Sequence, residues 1–343
     1  MVVERTALTE AFDAYVERQY QKHELLFPRV PTFRASEMGF CRRASVLRRA
    51  GFVGRPITME KKRFFYFRTT LHDHFLQGLR SQGRALVREV DISPGLPMDF
   101  SGHLDAICHA ADCECGLGGI GNMGIQWGRM VRLRKSGDDE EWQEIAASLV
   151  RHKYRLVDVK TTHPNLVNYS HKLPKAHNIL QVQTYTRGFR QMFSPFDWQM
   201  TLGLVYIPMG EGRILDCEVE DDPLAVSREM TALRQGYDDF KNAGQLPPVL
   251  PLAVTDKKEG QNRVLFYTTP WQCSEQYCAY CRWGEGDECC EPSAPQVASG
   301  DRFAYTTPEG DTVWVKKWLD KLGQEAPVGA EVVDNPPPRK EAA

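Results

Sequence analysis

No uninterrupted apolar run in this sequence approaches the ~20 residues of a membrane-spanning helix, which argues against a helical membrane protein. The start, "MVVERTALTEAFDAYVERQY", lacks the basic opening and apolar block of a secretory leader and carries early acids at helical spacing, so a cytoplasmic location is expected. Nor is there an excess of charge of either sign. The formal net charge is −2, and a nucleic-acid partner would therefore need a local basic surface rather than a general attraction. A nucleotide-cradling loop is also lacking, because "GLGGIG" has no Lys-Ser/Thr ending and no strand leading into it. No internal repeat is present.

What remains is a chain of 343 residues, long enough for one large domain or two ordinary ones. Residues 7–25 have the apolar spacing of an amphipathic helix. A second helix is expected in "ASEMGFCRRASVLRRAG", with Ser36 as N-cap and Gly51 as stop, and a third over about 59–82. "VREVDIS" and "FSGHLDAIC" read as strands joined by the turn "PGLPMD". Residues 111–150 form an insertion between core strands. The strand "YRLVDVKTT" follows, then a helix over about 175–193, strands in "DWQMTLGLVYIP" and "RILDCEVE", and a helix over about 224–243. "AGQLPPVLPL" links these to a cysteine-rich segment, beyond which "FAYTTPEGDTVWV" reads as a hairpin ahead of a polar tail. Strands and helices without a regular βαβ rhythm predict an α/β fold with a mixed central sheet flanked by helices.

The stretch "YRLVDVKTTHP", residues 154–164, raises a chemical question. Side chains alternate along a strand, so Asp158 and Lys160 share one side while Val157 and Val159 share the other. A salt-bridged surface strand and a catalytic pair both fit that pattern. Asp105 sits mid-strand in "GHLDAI", where an acid among apolar neighbours needs a partner or a metal. His72 falls in line with Phe75, Leu76 and Leu79 on the buried stripe of its helix, and His74 turns away from it. Gln181 and Tyr185, four apart in "ILQVQTY", lie on one helical face. The stretch 42–68 interleaves basic residues, among them Arg42, Arg43, Lys61 and Lys62, with aromatics. That composition suits either a solvated helix or a single nucleic-acid strand, through phosphate contacts and base stacking.

In order, His72, "GHLDAI" with Asp105, "VDVK" with Asp158 and Lys160, and Gln181-x-x-x-Tyr185 resemble the RecB-like branch of the PD-(D/E)XK nuclease superfamily over about residues 33–290. The resemblance implies a restriction-endonuclease-like core and a Mg²⁺- or Mn²⁺-dependent DNA exonuclease, acting on single-stranded ends in recombination, repair or replication, with a helicase or recombinase as possible partner. His72, Asp105, Asp158 and the carbonyl of Val159 would hold the metal; Lys160 would serve the attacking water, with Gln181 and Tyr185 positioning the site. Arg68 stands where relatives carry glycine, and Asp158 where many carry glutamate. The rival readings are a catalytically idle DNA-binding module and a zinc-stabilised interaction protein.

The ten cysteines take meaning from their placement. By resemblance to the iron–sulfur subset of this family, similar to AddB-type subunits and CRISPR adaptation exonucleases, Cys41, Cys278, Cys281 and Cys289 would bind a 4Fe–4S cluster joining the N- and C-terminal parts. Cys273 or Cys290 could replace one of them, and spacing alone suits Zn²⁺ equally well. A nuclease domain over 1–291 and an extension over 292–343 are the expected division.

Overall fold

The structure is a computed structural model describing residues 7–26, 31–52, 54, 56–113, 120–136, 139–162, 173–210, 212–248 and 250, together with the backbone of four strands between 253 and 314. In chain order the elements are α1 (Ala7–Leu26), β1 (Phe33–Arg34), α2 (Arg42–Arg49), α3 (Met59–Ser81), β2 (Ala85–Asp91), β3 (Phe100–Ser101), β4 (His103–His109), α4 (Ile120–Ser136), α5 (Asp139–Leu149), β5 (Lys153–Thr162), α6 (Ala176–Met192), β6 (Gln199–Pro208), β7 (Leu215–Val219), α7 (Pro223–Ala243), β8 (Ala253–Glu259), β9 (Asn262–Thr268), β10 (Phe303–Thr306) and β11 (Thr312–Trp314). Two compact units result, one of residues 1–40 and 57–235, the other of residues 41–56 and 236–343. The expected boundary at residue 291 lies outside the described residues.

The larger unit holds a mixed five-stranded sheet in the order β2-β4-β5-β6-β7. Only the β5–β6 pair is parallel; the other pairs are antiparallel. Alternation along β5 sorts its side chains as expected. Val157 and Val159 join Leu76, Ala85, Ala106, Val205 and Ile207 in an apolar cluster against which Leu71, Phe75 and Leu79 of α3 pack. The opposite side of β5 meets α6. That helix buries polar residues on several sides, and each has a partner: Asn178 donates to Tyr206 Oη at 2.9 Å, Gln183 to the Glu220 carbonyl at 2.6 Å, and Thr186 to the Val182 carbonyl at 3.0 Å.

The helices α4 and α5, which follow β4 and precede β5 in the chain, contribute to the core. Trp127 of α4, fully buried, packs against Tyr154 at 5.1 Å between ring centroids and Trp198 at 5.1 Å, with Phe189 and Phe193 at 5.7 Å. The expected second helix is divided. A 3-10 turn covers Ala35–Glu37, and α2 begins only at Arg42 with Cys41, not Ser36, in the N-cap position. Gly39 causes the break: its φ is +73°, and a Cβ there would lie 3.1 Å from the His177 Cα.

The smaller unit contains a four-stranded sheet in the order β11-β10-β9-β8. β10 and β11 are antiparallel, as the expected hairpin requires. The β8–β9 hairpin is not foreseeable from the residues, since the run "DKKEGQN" masks the alternation around it.

A second close approach pins α6. A Cβ on Gly95 would fall 1.8 Å from the Gly188 carbonyl oxygen, so the 3-10 turn Ser93–Gly95 rests directly on the helix backbone. Gly95→Ala should therefore destabilise by about 2 kcal/mol or more. Gly78, inside α3, has open space where a Cβ would stand, and Gly78→Ala should stabilise by about 0.5–1 kcal/mol. Urea unfolding of both variants checks the contrast; equal effects would contradict it.

Candidate metal centre

Three neighbouring strands each contribute one acid. The pairs Arg88–Ala106 and Val90–Leu104 place Glu89 of β2 opposite Asp105 of β4. The register Ala106–Val157 sets Asp105 against Asp158 of β5 at the next position. Glu89, Asp105 and Asp158 thus form one row across the sheet. Like charges opposed on adjacent strands repel, so the row costs stability unless cations compensate. Glu89 also has φ +51°, a left-handed conformation that costs a residue with a Cβ about 1–2 kcal/mol.

His72 reaches the row from α3. Its Nε2 lies 3.0 Å from Asp105 Oδ2, and its Nδ1 3.5 Å from Asp73 Oδ1. Asp105 Oδ2 also accepts the amide proton of Val159 at 2.7 Å. Val159 therefore enters the site through its N–H, with its side chain in the apolar cluster. The ligand atoms of His72, Glu89 and Asp105 all lie within 4.8 Å of one another, a spacing compatible with one shared cation. Burial alone would lower the His72 pKa, but the hydrogen bond and charge of Asp105, with Glu89, raise it to about 9. Burial and the Asp105 charge push Glu89 up to about 7, against the pull of His72.

Asp158 occupies the other half of the site and is 1% exposed. Its Oδ2 lies 2.8 Å from Lys160 Nζ, and Gln181 Nε2 donates to its Oδ1 at 3.4 Å. Lys160 Nζ also donates to Gln181 Oε1 at 2.7 Å, and Gln181 Nε2 meets Tyr185 Oη at 2.5 Å. Asp158, Lys160, Gln181 and Tyr185 therefore form one connected network between β5 and α6. Burial pushes the Asp158 carboxyl up while Lys160 pulls it down and Asp105 adds to the rise. Despite the nearby ammonium, Asp158 Oδ2 is a buried oxygen with no well-directed hydrogen bond. An oxygen so placed, beside a second carboxylate, fits the oxygen ligand set of Mg²⁺ or Mn²⁺.

The structure thus brings His72, Asp105, Val159, Asp158, Lys160, Gln181 and Tyr185 together. It adds Glu89, which sequence reasoning missed: in "VREVDIS" an alternating Glu looks like any solvent-facing strand residue, and only the strand register exposes its partner. Basic residues gather beside the acids as well. The Lys175 pKa is lowered by burial and by Arg68, and that of His177 falls to about 4 through burial, Lys175 and Lys160.

The expected DNA-contacting residues are divided between the two units. Arg42 and Arg43 belong to the smaller unit, Lys61 and Lys62 to the larger. Lys62 is held 2.6 Å from Glu17, and its neighbour Arg63 pairs with Asp13 at 2.5 Å, so these two cations tie α3 to α1. Cys41 is buried. Cys278, Cys281 and Cys289, with the alternatives Cys273 and Cys290, lie outside the described residues. Cys113 Sγ sits 3.9 Å from His152 Nδ1.

No family model matches this chain, and no curated protein is significantly similar to it. A solved structure described as the crystal structure of SSO0001 is 16% identical with a TM-score of 0.40, covering 70% of this chain and 90% of that one. A likeness at this level carries no functional argument. No helix among the described residues is long and apolar enough to cross a membrane.

The acid row has a consequence for the metal-free protein. Glu89 has a folded pKa raised from 4.5 to about 7, so stability falls as pH rises through that window. In chelator, Glu89→Gln should melt above wild type, with the gap growing between pH 4.5 and 7 and then levelling. Mn²⁺ should raise the melting temperature of wild type more than that of the variant. Equal Mn²⁺ responses would remove Glu89 from the metal centre.

Proposed function

We propose that this chain is a metal-dependent nuclease of the RecB-like kind, hydrolysing phosphodiester bonds at single-stranded DNA ends. One observation carries the reading: the buried Asp158 carboxylate, one position from Asp105 on the neighbouring strand, shares its site with Lys160 and retains an oxygen lacking a directed hydrogen bond. A surface salt bridge would place neither member in the interior.

Hydrolysis breaks a P–O bond as a water attacks in line, so a proton must leave the water and negative charge on the phosphoryl oxygens must be stabilised. Asp105, Asp158, Glu89 and His72 would hold a Mg²⁺ or Mn²⁺ ion, which supplies Lewis-acid stabilisation and lowers the pKa of a bound water. Imidazole among the ligands favours Mn²⁺. Lys160 keeps part of its side chain open to solvent, at 22% exposure, while Asp158 is closed off, so the ammonium is the group of this pair able to meet substrate. Held by Asp158 and Gln181, it orients the water and balances charge on the phosphoryl oxygens. Tyr185 fixes Gln181 in turn. Its own hydroxyl stays protonated, because burial and the nearby acids raise its pKa well above the usual value. Arg68 and Lys175 add positive potential where a phosphate would approach; His177, whose pKa falls to about 4, is neutral there.

The proposal extends to a 4Fe–4S cluster on Cys41, Cys278, Cys281 and Cys289, with Zn²⁺ as the alternative. It is supported by the grouping of residues 41–56 with 236–343 in one unit, and by the buried place of Cys41 at the start of α2. A helicase or recombinase partner would supply the ends.

Asp105→Asn, Asp158→Asn and Lys160→Ala should each lower cleavage of end-labelled single strands by at least about 100-fold, with melting temperatures near or above wild type for the two Asn variants and lower for Lys160→Ala, which leaves the buried Asp158 without its cation. Near-wild-type cleavage in all three would sink the assignment. Cys41→Ser should lose the brown chromophore of anaerobically purified protein and its iron. Full iron content in that variant would exclude Cys41 as a ligand, and a colourless wild type with stoichiometric zinc would decide for Zn²⁺.

A further inference from the structure

Helix α3 runs past the metal centre. Its sheet-facing side includes Leu76 and Leu79 beneath the strands, then His72, and continues through Arg68, Phe65 and Phe64 toward the N-terminus. Leu76 is 1% exposed, whereas Phe64 is 37% and Phe65 41% exposed. The same stripe is thus covered by sheet on one side of His72 and open on the other. From His72 to Phe64 is eight residues, about 12 Å along the helix axis at ~1.5 Å per residue.

The open part is built. Arg68 Nε donates to Thr161 Oγ1 at 2.7 Å, and its Nη2 donates to the Thr161 carbonyl. This fastens α3 to β5 immediately after Lys160. The same guanidinium lies over the Phe64 ring, 5.1 Å from its centroid. Phe65 is adjacent, its ring centroid 6.5 Å from that of Phe64. One side of Phe64 is therefore backed by a planar cation anchored to the active-site strand, while the ring remains partly exposed.

Resting on the nuclease reading above, we infer that Phe64, backed by Arg68 and flanked by Phe65, is a stacking subsite for an unpaired nucleobase. The base would belong to the strand whose scissile phosphate lies at Asp105 and Asp158, a few nucleotides from the reacting bond. Charge complementarity favours this occupant, since Arg68, Lys175 and Lys160 surround the approach with positive potential suited to a phosphate backbone. Flat aromatic faces beside cations accept any base, because every base offers a π-face. A duplex end keeps its bases stacked on one another, so the subsite selects single strands.

The test uses the full-length protein with Ca²⁺ in place of Mg²⁺ or Mn²⁺, and single-stranded oligonucleotides in which one abasic nucleotide is moved stepwise from the end. Wild type should show one position where the abasic substitution weakens binding roughly 5- to 100-fold. Phe64→Ala should bind the intact strand as weakly as wild type binds that abasic one, with no further loss at the abasic position. Phe64→Trp should restore both affinity and the position effect. 2-Aminopurine at the same position should be quenched by wild type and not by Phe64→Ala. A protein that cleaves single strands yet shows no such position, or the same position in Phe64→Ala, would overturn the subsite and leave the nuclease reading standing. Loss of a dimer in Phe64→Ala with unchanged DNA affinity would assign the strip to a second copy of the chain and overturn it likewise. If wild type neither binds nor cleaves any strand, the nuclease reading itself fails.

Discussion

An ionisable carboxylate in the middle of a sheet is the constraint from which much of the larger unit follows. Asp158 is 1% exposed, and an isolated buried charge of that kind costs several kcal/mol. Its compensation comes from Lys160, two residues along the same strand, and from Gln181 across the gap on α6. Lys160 can serve only if it stays on the same face, which fixes the alternation of β5 and sends Val157 and Val159 into the α3 cluster. Gln181 can serve only if α6 lies close above the strand. The direct contact of Gly95 with the Gly188 carbonyl holds the helix there two turns further along. Polar residues within α6 are satisfied one by one, so a helix that is polar on several faces can still occupy the interior.

Two charge distributions of opposite sign meet at that point. Asp105 stands between Glu89 and Asp158 and its charge helps to raise the pKa of each, while burial and neighbouring basic groups lower the pKa values of Lys175 and His177. Each distribution is unfavourable by itself and only partly relieved by the other through the Asp158–Lys160 and His72–Asp105 pairs. A divalent cation relieves the first and a phosphate the second, and neither repairs both. That asymmetry distinguishes this site from an ordinary buried ion-pair network, in which opposite charges are matched internally.

Much of this was legible in the residues because the informative groups sit on strongly periodic elements. The stripe Phe75, Leu76 and Leu79 placed His72 on the buried side of α3, and the valines of "VDVK" placed Asp158 and Lys160 together. Glu89 was not legible. Its role depends on which residue it faces across β2 and β4, and pairing register is a tertiary property to which local composition is blind. The split of the second helix at Gly39 was hidden for a related reason: the close approach of His177, more than a hundred residues away, makes the glycine necessary. Trp127 and Trp142 likewise read as parts of an insertion, although both are buried in the larger unit. For the basic stretch 42–68, composition could not show that Lys62 and Arg63 are engaged by Glu17 and Asp13.

That last point bears on how a chain with net charge −2 could address a polyanion, as the proposed function requires. Two of the cations on α3 are spent on α1, in pairs that orient the helix instead of attracting a ligand. With α3 oriented on one flank by α1 and on the other by Arg68 bonded to Thr161, His72 is held against Asp105 and the aromatic residues N-terminal to it are held at the mouth of the site. Positive potential then comes from a few groups close to the acids and need not come from the protein as a whole. At short range in a partly desolvated site, such groups are screened less by salt than a diffuse surface charge. Under the proposed function, recognition by local placement would therefore be compatible with a nearly neutral chain, and it would make the orientation of α3, more than the number of lysines and arginines, the quantity on which substrate binding depends.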